Sequence, residues 1–378
     1  MDSSGLDGAL DRVKEAFAEV LEETPRGGAA LSIWQDDKCL ISLYGGESSP
    51  AKPWTNKTPC LIWSASKGVG VACTLHSLQE HGITLKTPVS EIWPEFSASG
   101  KNGITFEDLL SHRAGLAAID RKGLSITDHE GVAESLASQP PNWVHDGSHG
   151  YGARTFGFLI DEIVRRVSGE TLASYWNRTF RRIVAPDTDL DLWFGVSGKY
   201  VEDVATSIAP KTPPPPGPFS IAFGDPNSLT RRALSEPGGI LTPSVMNTPE
   251  MRQASIPSLG LISTADALAR FYSFLTTSNS FFTSETRTLM QTTISRGVDR
   301  SLLEKTSFSA GFMTNEFGVY GPSRLAFGHP GAGGALGFAD PELGLGFAFI
   351  PSAMNPGALP GSRTRKLLRA LYGMPESE

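Results

Sequence analysis

Strand-like and helix-like stretches are segregated along this chain, and that segregation limits the folds open to it. Residues 28–35 and 38–45 read as two strands, with Asp36-Asp37 between them as a two-residue hairpin turn. Strand patterns return only near the other end, at 308–315, 323–328, 334–340 and 344–351. Asp340-Pro341-Glu342-Leu343-Gly344 joins the last two as a hairpin. Helices flank both sets. Leu6, Leu10, Val13, Phe17, Val20 and Leu21 recur with helical period over 5–22, and a basic amphipathic helix over 361–372 ends the chain. Its Arg363, Arg365, Lys366 and Arg369 read as a solvated face. The natural construction is α+β: one antiparallel sheet built from both chain ends, flanked by terminal helices, with a large, mostly helical insertion. The expected domains are 1–62 plus 305–378 for the sheet and 63–304 for the insertion, with the active site between them.

Within the insertion, Ile104–His112 reads as a short helix, with Thr105 as N-cap and Asp108 three residues on. Phe156, Leu159, Ile160, Ile163, Val164 and Val167 predict a helix over 155–168 that stops at Gly169. Residues 171–182 and 264–275 are also helical in pattern. Residues 113–150 read as loop-rich. Residues 184–260, with the run Pro213-Pro214-Pro215-Pro216 and many further prolines, read as extended loop. Long ordered loops of this kind line sites or form surface insertions. Trp193, Phe194, Phe219 and Phe223 are candidates for an apolar wall there, or for core.

The formal net charge of −7 argues against nucleic acid as a partner. No apolar run reaches the roughly 18 residues of a membrane span. Met1-Asp2-Ser3-Ser4-Gly5 has neither a basic start nor an apolar core, so a cytoplasmic protein is expected. Cys39, Cys60 and Cys73 imply no disulfide framework, and Cys39 and Cys73 are expected to be buried thiols.

Chemistry concentrates at Ser64-Ala65-Ser66-Lys67, at the head of a small and apolar run that predicts a buried helix closed by Gly82. On a helix, i and i+3 share a face, so Ser64 and Lys67 come side by side. A serine hydroxyl needs a base to become a nucleophile. A lysine serves only if neutral, so its pKa must fall by about three, worth roughly 4 kcal/mol. Burial and a helix N-terminus both push that way. The same spacing recurs at Ser49-Pro50-Ala51-Lys52, in a stretch that reads as loop. His145 and His149 could face one metal ion on a helix, but Gly147 and Gly150 favour a loop, and no metal or cofactor is expected. Neither a Gly-x-Ser-x-Gly elbow nor a phosphate loop occurs.

Ser64-Ala65-Ser66-Lys67 resembles the nucleophile motif of the penicillin-binding proteins and class C β-lactamases. Leu109-Leu110-Ser111-His112-Arg113-Ala114-Gly115-Leu116 resembles the segment that follows it in that group. Tyr151-Gly152-Ala153 lies where the group has Tyr-x-Asn, and His329-Pro330-Gly331-Ala332-Gly333-Gly334 where it has Lys-Thr-Gly. Order and spacing match over roughly 8–372, which implies the β-lactamase/transpeptidase-like fold. Two positions depart. Ala153 replaces the Asn that binds the acylamino side chain, and His329 replaces the Lys that helps bind a carboxylate. Both remove groups that recognise β-lactams or D-Ala-D-Ala ends, a pattern similar to the family VIII carboxylesterases.

The resemblance implies a serine esterase acting on small-molecule esters with small or short acyl groups. Ser64 would be the nucleophile, Lys67 and Tyr151 the acid–base pair, and the backbone N–H groups of Ser64 and Ala332 the oxyanion hole. His329, Ala153, Gly331 and Gly333 would border the substrate, the glycines letting it approach the strand closely. His329, if it faced the pocket, would regain a cation near pH 6. The alternatives are a β-lactamase or D-amino-acid peptidase or amidase, an acyltransferase, and a non-catalytic scaffold.

Overall fold

The computed structural model describes residues 3–24, 26–186, 189–278 and 281–375. Met1 and Asp2, part of the segment expected not to be a leader, lie outside the described residues. β1 (Gly28–Gln35) and β2 (Lys38–Ser49) form the expected hairpin. Asp36 and Asp37 have φ of +46° and +62°, the left-handed pair that matches strand twist across a two-residue turn. The second Ser-x-x-Lys copy makes the tight turn from β2 into β3 (Lys52–Pro53), so no helix aligns Ser49 with Lys52. A small sheet gathers β4 (Cys60–Leu61), β5 (Leu192–Phe194) and β6 (Leu261–Ser263). The C-terminal strands are β7 (Ser295–Val298), β8 (Lys305–Phe308), β9 (Met313–Thr314), β10 (Phe327–Pro330), β11 (Leu336–Asp340) and β12 (Leu345–Pro351).

Among the described residues, nine strands form one antiparallel sheet in the order β3-β2-β1-β12-β11-β10-β9-β8-β7. The two chain ends meet where β1 pairs with β12, in the register Leu31↔Phe349 and Ile33↔Phe347. Alternate residues of β1 then face opposite sides. Leu31 and Ile33 join Val13, Phe17 and Val20 of the Ser3–Glu22 helix and Leu367, Leu368 and Leu371 of the Ser362–Tyr372 helix. Ala30 faces the other core, which continues into the helical region. The Ala265–Thr276 helix packs on β1, β11 and β12. Strand β7 belongs to the sheet although it precedes the expected boundary at residue 305.

Several expectations need correction. Arg363 is buried, not solvated: it donates to Asn355 Oδ1 at 2.9 Å and Thr24 Oγ1 at 3.0 Å, and Lys366 pairs with Glu19 and Glu23. The C-terminal helix uses its cations to grip the N-terminal one. Cys39 is exposed, at the hairpin end beyond a bulge, whereas Cys60 and Cys73 are buried. The 113–150 segment is loop-rich, as expected, with one helix, His129–Ser138, capped by Asp128 accepting from the Gly131 N–H at 3.0 Å. In 184–260, Pro218, Pro243 and Pro249 do not extend the chain; each starts a short helix. A proline in a first turn loses no hydrogen bond that the helix would otherwise make.

Candidate active site

Ser64 sits in a 3-10 turn, Trp63–Ala65, that feeds the Ser66–Glu80 helix. Trp63 is held at φ +50°, a costly conformation for a bulky residue, so its surroundings must impose it. Ser66 does part of this: its hydroxyl donates to the Trp63 carbonyl and accepts from the Leu261 N–H at 3.0 Å, tying the turn to β6. Every residue from Ser66 to Leu78 is buried, which an all-round small and apolar helix requires.

Lys67 is wholly buried, and that burial holds its pKa well below the ordinary lysine value. Among the described residues no carboxylate lies within ion-pair distance of it. Its Nζ is 2.8 Å from the Ala153 carbonyl, 2.8 Å from the Ser258 carbonyl and 3.3 Å from Ser64 Oγ. A neutral amine has two N–H bonds and one lone pair. The carbonyls accept the two N–H bonds, and the lone pair is left for the Ser64 proton. Position 153 thus contributes through its backbone, which alanine supplies as well as any residue.

Tyr151 is buried at the same centre. Lys67 Nζ lies 4.9 Å from its ring centroid, and the ring runs parallel to Phe308 at 6.1 Å. Burial raises the phenol pKa above its ordinary value. Ser64 pulls the other way, although the two hydroxyls are not aligned as a hydrogen bond, and Asp299 adds to the rise. Catalytic contacts are often loose before substrate arrives.

The backbone of Tyr151 is clamped. Its N–H donates to both oxygens of Asp299 at 3.1 Å, and its carbonyl accepts from Ser301 Oγ at 2.8 Å. Asp299 is fully buried and also accepts from the N–H groups of Ser301 and Leu302 and from Thr306 Oγ1. The next residue is held as well: Gly152 N–H donates to His112 Nδ1 at 3.3 Å, and the His112 carbonyl accepts from Gly150 N–H. An accepting Nδ1 carries no proton. That fits a His112 pKa pushed well below the usual range by burial, with His329, Lys67 and His149 adding to the fall.

The third motif forms the end of β10 and the turn into β11. His329 is buried, its Nδ1 2.7 Å from the Pro330 carbonyl. Burial and then Lys67 depress its pKa to about 3, so it supplies no cation near pH 6, and the expected switch is corrected. A Cβ at Gly331 would lie 2.3 Å from the Ile62 carbonyl oxygen and 3.3 Å from Ala65 N, and one at Gly333 2.6 Å from Met354 Cγ. Their lack of a side chain admits the nucleophile turn and Met354. Gly331 N–H is committed to the Ala335 carbonyl at 2.7 Å, and Ala332 follows beside the Ser64 turn.

A cavity of about 870 Å³ opens here, with Trp63 and Ala332 in its lining. Phe219 and Phe223 line it too, whereas Trp193 and Phe194 belong to the small sheet and its core. Arg154 closes one side: buried, it donates to the carbonyls of Ser235, Pro237 and Ile240 at 2.8, 2.6 and 3.1 Å. His145 and His149 do not converge; they bind Asp108 and Thr306.

Ser258, Asp299, Ser301 and Arg154 were not singled out from the sequence. One signal was available for Ser258. Gly157 sits inside a helix, where glycine is unfavourable, and a Cβ there would lie 2.2 Å from Ser258 N.

The buried neutral histidines have a consequence for stability. Below about pH 6.5 the unfolded chain binds a proton at His329 that the folded chain refuses down to about pH 3. His112 acts in the same direction. Stability should therefore fall with acidification through this window, by about 1.4 kcal/mol per pH unit for each such group. His129, whose pKa is raised by Asp161 and the Ser255 carbonyl against its own burial, gains stability on acidification, but only above about pH 6.5, outside this window. Urea midpoints at pH 7 and 5 measure the slope, and His329→Asn should flatten it.

This fold and site define a serine hydrolase built on a Ser-x-x-Lys pair. The chain belongs to the Beta-lactamase family, which it matches over residues 13–371. It is 30% identical over 362 residues to the esterase/β-lactamase LipL of Mycobacterium tuberculosis, covering 89% of this chain and 80% of LipL. Among solved structures it matches a penicillin-binding protein homologue from Caulobacter crescentus with a TM-score of 0.87 and 28% identity, over 97% of each chain. A family VIII carboxylesterase shares the fold with a TM-score of 0.86 and 24% identity, again over 97% of each.

Proposed function

We propose that this protein hydrolyses carboxylic esters with small or short-chain acyl groups through an acyl-enzyme on Ser64. The observation that carries the reading is Lys67, buried without a carboxylate and with both N–H bonds directed at carbonyls, beside Ser64 Oγ. Ser64 Oγ bonds to the ester carbonyl carbon as its proton passes to Lys67. The N–H groups of Ser64 and Ala332 receive the oxyanion; one such donor is worth about 3 kcal/mol. When the bond to the alcohol oxygen breaks, that oxygen takes the Tyr151 proton, and Lys67 returns a proton to Tyr151. Water then attacks the acyl carbon, loses its proton to the same pair, and Ser64 leaves protonated. The opposed pKa shifts, Lys67 down and Tyr151 up, suit a neutral base and a protonated acid at one pH.

LipL is named for both esterase and β-lactamase activity, which makes β-lactam hydrolysis the second reading. Ala153 and the neutral His329 weigh against it, since neither offers an amide or a cation. Paired assays of p-nitrophenyl butyrate and a chromogenic cephalosporin, with wild type and Ser64→Ala, separate the two. Ester cleavage lost in the variant, with little cephalosporin turnover, is expected. Dominant cephalosporin turnover would favour the second reading, and silence on both would refute the first.

A further inference from the structure

Resting on the esterase reading, we propose that the cavity beside Ser64 selects esters that carry a carboxylate, with Arg231 as its anchor. Cations line this cavity in a protein whose net charge is −7. Two of the four already have a task. Arg154 is spent on three carbonyls, and Arg232 is paired with Asp120. Lys122 is exposed at the rim. Arg231 differs. No carboxylate of the described residues lies within ion-pair distance of it, and its guanidinium rests 4.5 Å above the Phe223 ring. Phe223 is itself stacked on Phe219, with centroids 6.0 Å apart and planes 11° apart.

That arrangement has the parts of a carboxylate site. The aromatic shelf fixes the guanidinium plane without consuming its N–H groups. A planar fork so held presents paired donors that match a carboxylate. The one lining carboxylate outside the Asp120 pair, Glu236, acts on Arg154. The cavity, about 870 Å³, has room for a small ester, and Trp63 and Ala332, which flank the nucleophile turn, share its lining with the shelf. With His329 neutral and buried, the strand beside Ser64 offers no cation of its own. A substrate carboxylate is therefore read from the wall of the cavity.

The test compares matched esters. One pair is mono-(4-nitrophenyl) glutarate and 4-nitrophenyl pentanoate, which differ by the acyl carboxylate. The other is 4-(butyryloxy)benzoate and phenyl butyrate, which differ by the carboxylate on the alcohol side. In at least one pair, Arg231→Met should lower the anionic-to-neutral ratio of kcat/KM by about tenfold or more. Lys122→Met should change that ratio much less. An unchanged ratio in both pairs overturns the proposal, as does an equal effect of Lys122→Met, which would mean a diffuse field and no anchor. Failure of the esterase reading looks different: neither neutral ester would be cleaved in a Ser64-dependent way.

Discussion

Lys67→Met should lower kcat/KM for p-nitrophenyl butyrate by about 10³-fold or more, the scale on which a positioned general base contributes. Methionine keeps an unbranched apolar stem in a fully buried site, so the fold should survive, as circular dichroism would confirm. The lost amine removes the only basic nitrogen that touches Ser64 Oγ among the described residues. Phosphonylation of Ser64 by a fluorophosphonate should slow in parallel. A loss below about tenfold would mean that another group takes the proton. The variant also bears on stability. Burial of the amine costs folding free energy at every pH below the unfolded lysine pKa and above the folded one. In that window wild-type stability should rise with pH more steeply than that of Lys67→Met.

Asp299→Ala should be among the most damaging single changes outside the Ser64–Lys67 pair. It would strip partners from the N–H groups of Tyr151, Ser301 and Leu302 and from the hydroxyl of Thr306, all in the interior. Breaking a buried, hydrogen-bonded charged site costs about 3–5 kcal/mol. The urea midpoint should fall accordingly. In enzyme that remains folded, kcat should fall more than KM rises, because Tyr151 loses the anchor that aims its hydroxyl. A variant with native stability and full activity would show that Ser301 and Phe308 suffice to place Tyr151.

These two residues also mark how far the sequence could be read. Lys67 was legible because Ser-x-x-Lys at the head of a buried helical run has a direct geometric meaning. The sheet was legible because short, largely apolar runs bounded by turn residues sit at both chain ends, as β1, β2, β11 and β12 do, and the 155–168 helix emerged from its apolar spacing. Asp299 was not legible. It acts on Tyr151 through a peptide N–H, which leaves no trace in side-chain type at position 151, and it comes from a turn remote in sequence. The prolines of 184–260 misled for a local reason: proline forbids a helix interior but favours its first turn. The His329 switch failed because exposure, which sequence does not report, decides whether a histidine titrates near pH 6. Arg363 failed likewise, since a helix face that looks solvated can be covered by another helix.

The central claim is that Ser64 carries the acyl group. The most direct measurement is acid quench of wild-type enzyme with excess p-nitrophenyl butyrate in the steady state, followed by peptide mass mapping. A butyryl group on the peptide containing Ser64, absent from Ser64→Ala under the same conditions, is the predicted result. A butyryl group on another residue, or undiminished turnover by Ser64→Ala, would contradict it.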